Sequence, residues 1–166
     1  MKNFLFFPLI LCCVLAGPSM GQCSQKPEDI NPCDLIAIGK IITTFPALKK
    51  AKNETIGRSS VCNYLDKYDI PALAVSVSQA GLHARDSLSM LDSSYKIENI
   101  NGLGEDAAIA VQQANPKIGL QTGIAALHIK KKTISLNISF FRISIQQNTT
   151  EFERVKSLAE EMLEKL

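Results

Sequence analysis

The stretch TGIAALHIKKKTISLNISFFRISI, residues 122–145, carries the clearest secondary-structure signal of the chain. From position 134 to 140 apolar and polar side chains alternate, which is the period of a strand with one buried face. The pattern predicts a β-hairpin with arms at 122–130 and 133–145. The apolar phase then slips by one residue, so we expect a β-bulge at Phe140–Phe141, because otherwise half of the apolar side chains would face water.

The segment that follows the hairpin predicts the strongest helix. Thr150 and Glu153 have the spacing of a capping box. The opposite face is charged, with i,i+4 pairs Lys156–Glu160 and Glu161–Lys165, and it is less basic than the polar face of a membrane-surface helix. We therefore expect this helix to pack across a sheet. Its apolar residues form one wide stripe: Phe152, Val155, Leu158, Ala159, Met162, Leu163 and Leu166.

Upstream of the hairpin, the sequence predicts one short helix and several strands. Residues 82–92 predict a short helix with Leu88 and Leu91 on its buried side. The alanine-rich segment 107–113 fits a helix or a strand, and we assign it as a strand. The other predicted strands are 60–65, 72–79 and 95–100.

The first predicted element is a helix that begins at Asn31-Pro32, with Asn as N-cap and Pro at the first helical position, and ends before Pro46. A polar loop at 49–59 follows it. The fold class is therefore predicted as α+β: an antiparallel β-sheet with an N-terminal, a middle and a C-terminal helix packed on it. The first helix should bury Leu35, Ile36, Ile38, Ile41, Ile42 and Phe45.

Residues 1–21 have the composition of a secretion signal, in which Lys2 precedes an apolar run from Phe4 to Ala16 and then small residues. The run spans about 13 residues, short of the roughly 20 that a membrane-spanning helix needs. We predict cleavage of this segment, a flexible linker at 22–30 and a single domain at 31–166. The mature chain should be exported to the periplasm or the outer surface.

Three cysteines remain after this cleavage, Cys23, Cys33 and Cys62, and an odd number leaves one without a partner in an oxidising compartment. Cys23 heads a polar stretch, as the acylated first residue of a bacterial lipoprotein does, although Gln22 departs from the small residue that a lipobox has before its cysteine. Cys23 is therefore either a lipidation site that anchors the chain to a membrane or a spare thiol. Cys33 and Cys62 are then natural disulfide partners.

Composition is that of an ordinary globular chain, with 46% hydrophobic and 20% charged residues. The formal net charge of +2 gives no electrostatic case for nucleic acid. The basic run Lys130–Lys132 is interpreted as a solvated hairpin tip, with a contact to anionic lipid headgroups as the alternative.

Candidate chemistry is sparse. His83 and His128 have no second ligand at metal spacing, and no serine lies in a G-x-S-x-G elbow. Gly102–Ala107 matches the letters of the dinucleotide fingerprint, but it does not lie in a βαβ unit. We therefore assign no catalytic residue, no cofactor and no metal. Three N-x-S/T triplets are interpreted as chance matches, or as glycosylation sites in a eukaryotic source: Asn53, Asn137 and Asn148.

Four short motifs carry a resemblance: Pro32–Ile36, Ser60–Tyr64, Asn101–Ala107 and Ser157–Leu166. Together they resemble small bacterial envelope lipoproteins and secreted proteins of unknown function, which combine a Cys-x-Leu-Leu helix start, a second cysteine before an aromatic residue and a Gly-Leu-Gly-Asp-x-Ala turn. They are also similar to the extracellular sensor domains of receptor kinases. The resemblance spans about residues 31–166 and implies an antiparallel sheet with packed helices, a disulfide between the two matched cysteines and no catalytic residues. The chain departs from the pattern at Gln22 and Glu105.

We therefore expect an exported, non-enzymatic module that binds a small apolar ligand, a lipid or an envelope protein partner. The alternative is a periplasmic hydrolase whose catalytic groups, such as His83 or His128 with Asp and Ser side chains, meet only in the fold. A structure that places either histidine within hydrogen-bond reach of both a carboxylate and a serine would favour the hydrolase.

Overall fold

The computed structural model describes residues 26–57, 59–119 and 121–166. Their main elements are seven strands and three α-helices, which confirms the α+β class. The helices are α1 (Ile38–Thr44), α2 (Ala84–Leu88) and α3 (Thr150–Glu164). The strands are β1 (Leu48–Ile56), β2 (Ser59–Asp66), β3 (Pro71–Gln79), β4 (Tyr95–Ile100), β5 (Asp106–Gln112), β6 (Gly123–Lys131) and β7 (Ile134–Phe140).

The seven strands form one antiparallel sheet in the order β1-β2-β3-β7-β6-β5-β4. Two meanders, β1 to β3 and β4 to β7, meet where β3 pairs with β7. The chain passes from β3 to β4, and the strands β7, β6 and β5 lie between these two in the sheet. The connection therefore crosses over the sheet, and α2 lies in it. The hairpin predicted at 122–145 is thus the pair β6 and β7 at the centre of the sheet.

The helices pack on both faces of the sheet. Helices α1 and α3 cover one face, where the alternating residues Leu73, Val75 and Val77 of β3 enter the main core. Helix α2 packs on the opposite face, where Leu88 lies against Ala108 and Ala110 of β5. The small alanine side chains let this short helix lie close to the strands. The sequence predicts three helices and their order correctly, but its periodicity does not say which face of the sheet each helix covers.

One strand was missed: in the segment 49–59, predicted as a polar loop, residues 49–56 belong to β1 and Ser59 begins β2. β1 is an edge strand whose side chains are exposed on both faces, apart from the buried Leu48 and the half-buried Glu54. Such a strand has no alternation of apolar and polar residues, so periodicity cannot detect it. Its lysines are typical of an edge that avoids pairing with other chains.

The N-terminal helix is shorter than predicted. Asn31 caps a single 3-10 turn, Pro32–Asp34, by accepting a hydrogen bond from the Cys33 amide at 3.1 Å. The chain is extended at Ala37, and α1 begins after it. This break turns the helix so that Ile41 and Phe45 are buried, whereas Ile38 is exposed.

Three local predictions are also corrected. β7 ends at Phe140 instead of continuing to 145, and the next two amides, of Phe141 and Arg142, both donate to the Ala72 carbonyl, as in a bulge that closes the strand. Leu91 lies beyond α2 and is exposed. The N-cap of α3 is Thr149, not Thr150, and its hydroxyl accepts from the Phe152 amide. The predicted apolar stripe of α3 is buried, apart from the half-buried Leu166.

Part of the segment predicted as a linker, 22–30, is ordered locally. Residues Pro27–Asp29 form a 3-10 turn, and the side chain of Ile30 is buried in the core. The predicted signal 1–21 and Cys23 lie outside the described residues. Among the residues described, no helix has the length and apolar character needed to cross a membrane.

Candidate functional site

A polar cluster lies beside α2 on the sheet face that this helix covers in part. His128 of β6 and Asn137 of β7 are direct cross-strand partners, and the histidine Nδ1 is hydrogen-bonded to the amide Oδ1. Because this oxygen can only accept, Nδ1 carries the proton and Nε2 is left as an acceptor. Nε2 is buried and has no hydrogen-bond partner in the described part of the chain.

Burial determines the charge of His128. The residue is only 6% exposed, and desolvation lowers the pKa of its imidazole, opposed by the hydrogen bond to Asn137 and by the charge of Asp106. The ring is therefore neutral at pH 7. A buried neutral histidine that is fixed by one cross-strand partner is first of all a packing residue.

The second histidine belongs to the start of α2. Asp106 of β5 accepts hydrogen bonds from the Ala84 amide at 2.7 Å and from His83 Nδ1 at 3.2 Å. The bond from Ala84 is the main cause of the lowered pKa of the Asp106 carboxyl. Asp106 thus clamps the first turn of α2 to the sheet, while the His83 side chain stays exposed to solvent.

The cluster is incomplete for hydrolysis. His83 has a carboxylate partner, but no serine hydroxyl hydrogen-bonds to either histidine within the described segments. A nucleophilic mechanism needs a hydroxyl or thiol in contact with the base. No group of three His, Cys, Asp or Glu side chains among the described residues is placed to hold a metal ion.

The glycine motif is a tight turn between β4 and β5, so it is not followed by the helix that a dinucleotide-binding fingerprint requires. Gly102 and Gly104 both have positive φ, at 79° and 62°. A Cβ atom at Gly104 would lie 2.6 Å from Cγ2 of Ile129 and 2.7 Å from the Lys130 carbonyl oxygen. The second glycine is therefore needed because the turn packs directly on β6.

The structure contains the disulfide between Cys33 and Cys62, with the two Cα atoms 5.0 Å apart. It joins the 3-10 turn before α1 to the buried centre of β2. Such a bridge is compatible with an exported protein.

The three N-x-S/T triplets differ in accessibility. Asn53 on β1 and Asn148 before α3 are exposed, whereas Asn137 is half-buried and bonded to His128. Folding thus removes one of the three from consideration as a glycan acceptor.

The apolar space under the helices is small. A cavity of about 10 Å³ lies between α1, α3 and the sheet, lined by residues such as Phe45, Val75 and Met162. Ligand pockets for small molecules are typically about 300–1,000 Å³. At this place the core holds one water-sized void and leaves no room for an apolar ligand.

Exposed apolar side chains gather at one end of the sheet, and sequence analysis did not find them. Tyr68 and Ile70 lie in the turn between β2 and β3, with 67% and 42% of their surface exposed, and Phe141 follows β7 with 60% exposed. The two segments are tied together, because the Phe141 amide donates to the Ala72 carbonyl at 3.0 Å and Arg142 pairs with Asp66 at 3.3 Å. We call Lys67, Tyr68, Ile70, Phe141 and Arg142 the tip surface.

The turn that presents the tip surface is held by several hydrogen bonds. The Asp66 carboxylate accepts from the amides of Tyr68 at 2.8 Å and Ile70 at 3.1 Å, and the Ile70 bond is the main cause of its lowered pKa. Lys67 lies with its ammonium 4.8 Å from the centroid of the Tyr68 ring. Side chains that are already ordered lose little entropy on binding.

The lysine run lies at the opposite end of the sheet. Lys132 forms the hairpin turn with φ 54°, while Lys131 donates to the Leu163 carbonyl at the end of α3, and Lys130 is the cross-strand partner of Asp106. Of the three cations, Lys131 is thus engaged within the protein and Lys130 lies across from a carboxylate on the neighbouring strand, which favours a solvated hairpin tip over a lipid contact.

Comparison with known proteins gives no assignment: no family model, no curated protein and no solved structure matches the chain. The resemblance to envelope lipoproteins and sensor domains therefore stays a prediction that rests on the four motifs alone.

Proposed function

We propose that the chain is an exported, non-enzymatic interaction module and that it binds its partner through the tip surface. The exposure of Tyr68, Ile70 and Phe141 together is the observation that carries this proposal. Single exposed apolar residues are ordinary, but a group of them marks an interaction site. Tyrosine and arginine are also the residue types that dominate binding energy at interfaces.

Two further observations support a binding role. The filled core between α1, α3 and the sheet argues against a small apolar ligand at that place, so a lipid surface or a protein is the better candidate for the partner. The two histidines each have a structural explanation, His128 as a packing residue and His83 as part of the clamp on α2. The hydrolase alternative keeps one supporting feature, the His83–Asp106 contact.

Site-specific photo-crosslinking in cells tests the proposal. A photoreactive phenylalanine at position 68 should give a crosslinked product, whereas the same residue at position 90 should not. Met90 is the matched control because it is 84% exposed but lies outside the tip surface. Equal crosslinking at both positions, or none at position 68, would contradict binding through the tip.

A further inference from the structure

The tip surface has an excess of positive charge around its apolar centre. Four cations lie at this end of the sheet, Lys49 and Lys50 at the start of β1 together with Lys67 and Arg142. The two carboxylates there, Asp66 and Asp69, are each paired with one of these cations.

Only one of these two carboxylates is turned into the protein, because Asp69 pairs with Lys50 while its side chain stays 64% exposed. Asp66 is turned into its own turn, where it accepts two backbone amides, and its side chain is only 17% exposed. Within the described residues, Lys67 and Lys49 have no carboxylate partner. Lys49 instead donates to the Pro46 carbonyl at 2.9 Å.

We propose, building on the proposed function, that the partner of the tip surface is an anionic lipid membrane. The three exposed apolar side chains lie in connections at one end of the sheet, where a planar lipid surface can reach them together. Tyrosine and phenylalanine rings prefer the headgroup region of a bilayer, while adjacent lysines reach the lipid phosphates. The positive charge also disfavours a second copy of the same tip as the partner, because like charges repel.

The position of the tip surface determines how the protein would be oriented on the membrane. Residues Glu28–Asn31 lie beside the turn between β1 and β2, so the described chain begins at the end of the sheet opposite the tip. A strand of the length of β2 separates these ends by about 26 Å. Insertion of the tip surface therefore orients residues Glu28–Asn31 away from the membrane that the tip binds.

The absence of tryptophan from the chain allows a direct measurement. The mature protein carrying Cys23→Ser, which removes any acyl anchor, is prepared with Tyr68→Trp or, as control, Met90→Trp. With vesicles of phosphatidylcholine and phosphatidylglycerol, the emission of the first variant should shift to the blue and that of the control should not. Pure phosphatidylcholine vesicles should give no shift.

Affinity changes provide the second readout. In the Tyr68→Trp background, Lys67→Ser should weaken binding about fivefold, since each cation near an anionic surface contributes a similar increment. Phe141→Ser should weaken it about tenfold or more through lost apolar burial. Added salt should reduce binding of all forms.

The lipid inference falls if Tyr68→Trp shows no blue shift with anionic vesicles, or if both tryptophan variants shift alike. If position 68 still crosslinks to a protein in cells while no vesicle binding occurs, the tip serves a protein partner, and only the lipid inference is overturned. If neither vesicles nor cells give a signal at position 68, the proposed function falls as well.

Discussion

Removing the disulfide should cost a calculable part of the stability. The bridge joins residues 29 positions apart, and the chain-entropy relation for a loop of this length gives about 3.6 kcal/mol at 25 °C. The double variant Cys33→Ala/Cys62→Ala avoids a new buried hydroxyl at Cys62, which is fully buried. The loss comes mainly from the unfolded chain, which gains freedom when the loop is opened.

Urea unfolding followed by circular dichroism measures this loss. With a slope near 2 kcal/mol per M, the midpoint of the double variant should fall by about 1.8 M. Cys23→Ser is the matched control and should leave the midpoint unchanged. A fall of less than about 0.5 M would refute the view that this bridge constrains the unfolded chain.

Three further outcomes are expected. Gly104→Ala should destabilise the fold by about 2–4 kcal/mol, since strain at positive φ adds to the clash with β6, whereas Gly102→Ala, where a Cβ meets nothing within 4 Å, should cost only about 1 kcal/mol in thermal or urea unfolding. Burial lowers the pKa of His128, so the unfolded state binds its proton first as pH falls below about 6.5. The free energy of unfolding should therefore decrease from pH 7 to pH 5, and less so in His128→Gln; equal slopes would contradict a buried neutral ring. Intact-mass analysis of the exported protein should find cleavage between residues 19 and 23, with an acyl mass increment only if Cys23 is lipidated; retention of the apolar run would contradict export through this signal.

The central hairpin and α3 could be predicted because each carries apolar residues on one face and polar residues on the other. That contrast gives β7 its period of two and α3 its wide apolar stripe, and both are found as expected. Edge strand β1 lacks the contrast, because neither of its faces is covered, and it was therefore missed. The capping signal at Asn31 is correct, but it starts only the 3-10 turn Pro32–Asp34, and the extended residue Ala37 separates this turn from α1.

The candidate sites are formed by contacts between residues that are far apart in the sequence, and hydrophobic periodicity does not predict such contacts. The contact of His83 with Asp106 joins residues 23 positions apart, and only the crossover that carries α2 brings them together. The tip surface joins the turn after β2 to the end of β7, 76 positions apart at the Arg142–Asp66 pair. One signal in the sequence does point to it: the apolar phase slips at Phe140–Phe141, and in the structure the Phe141 ring is exposed at this slip before Ile143 and Ile145 return to the core.

Complementation of a gene deletion with matched variants decides between the tip surface and the histidine cluster. Tyr68→Ser/Phe141→Ser should fail to restore the function, whereas His83→Ala and His128→Gln should restore it. Leu82→Ser/Met90→Ser, which also replaces two exposed apolar residues but leaves the tip intact, should behave as the unmodified chain. If a folded histidine variant loses the function while the tip variant retains it, the protein is an enzyme and not an interaction module.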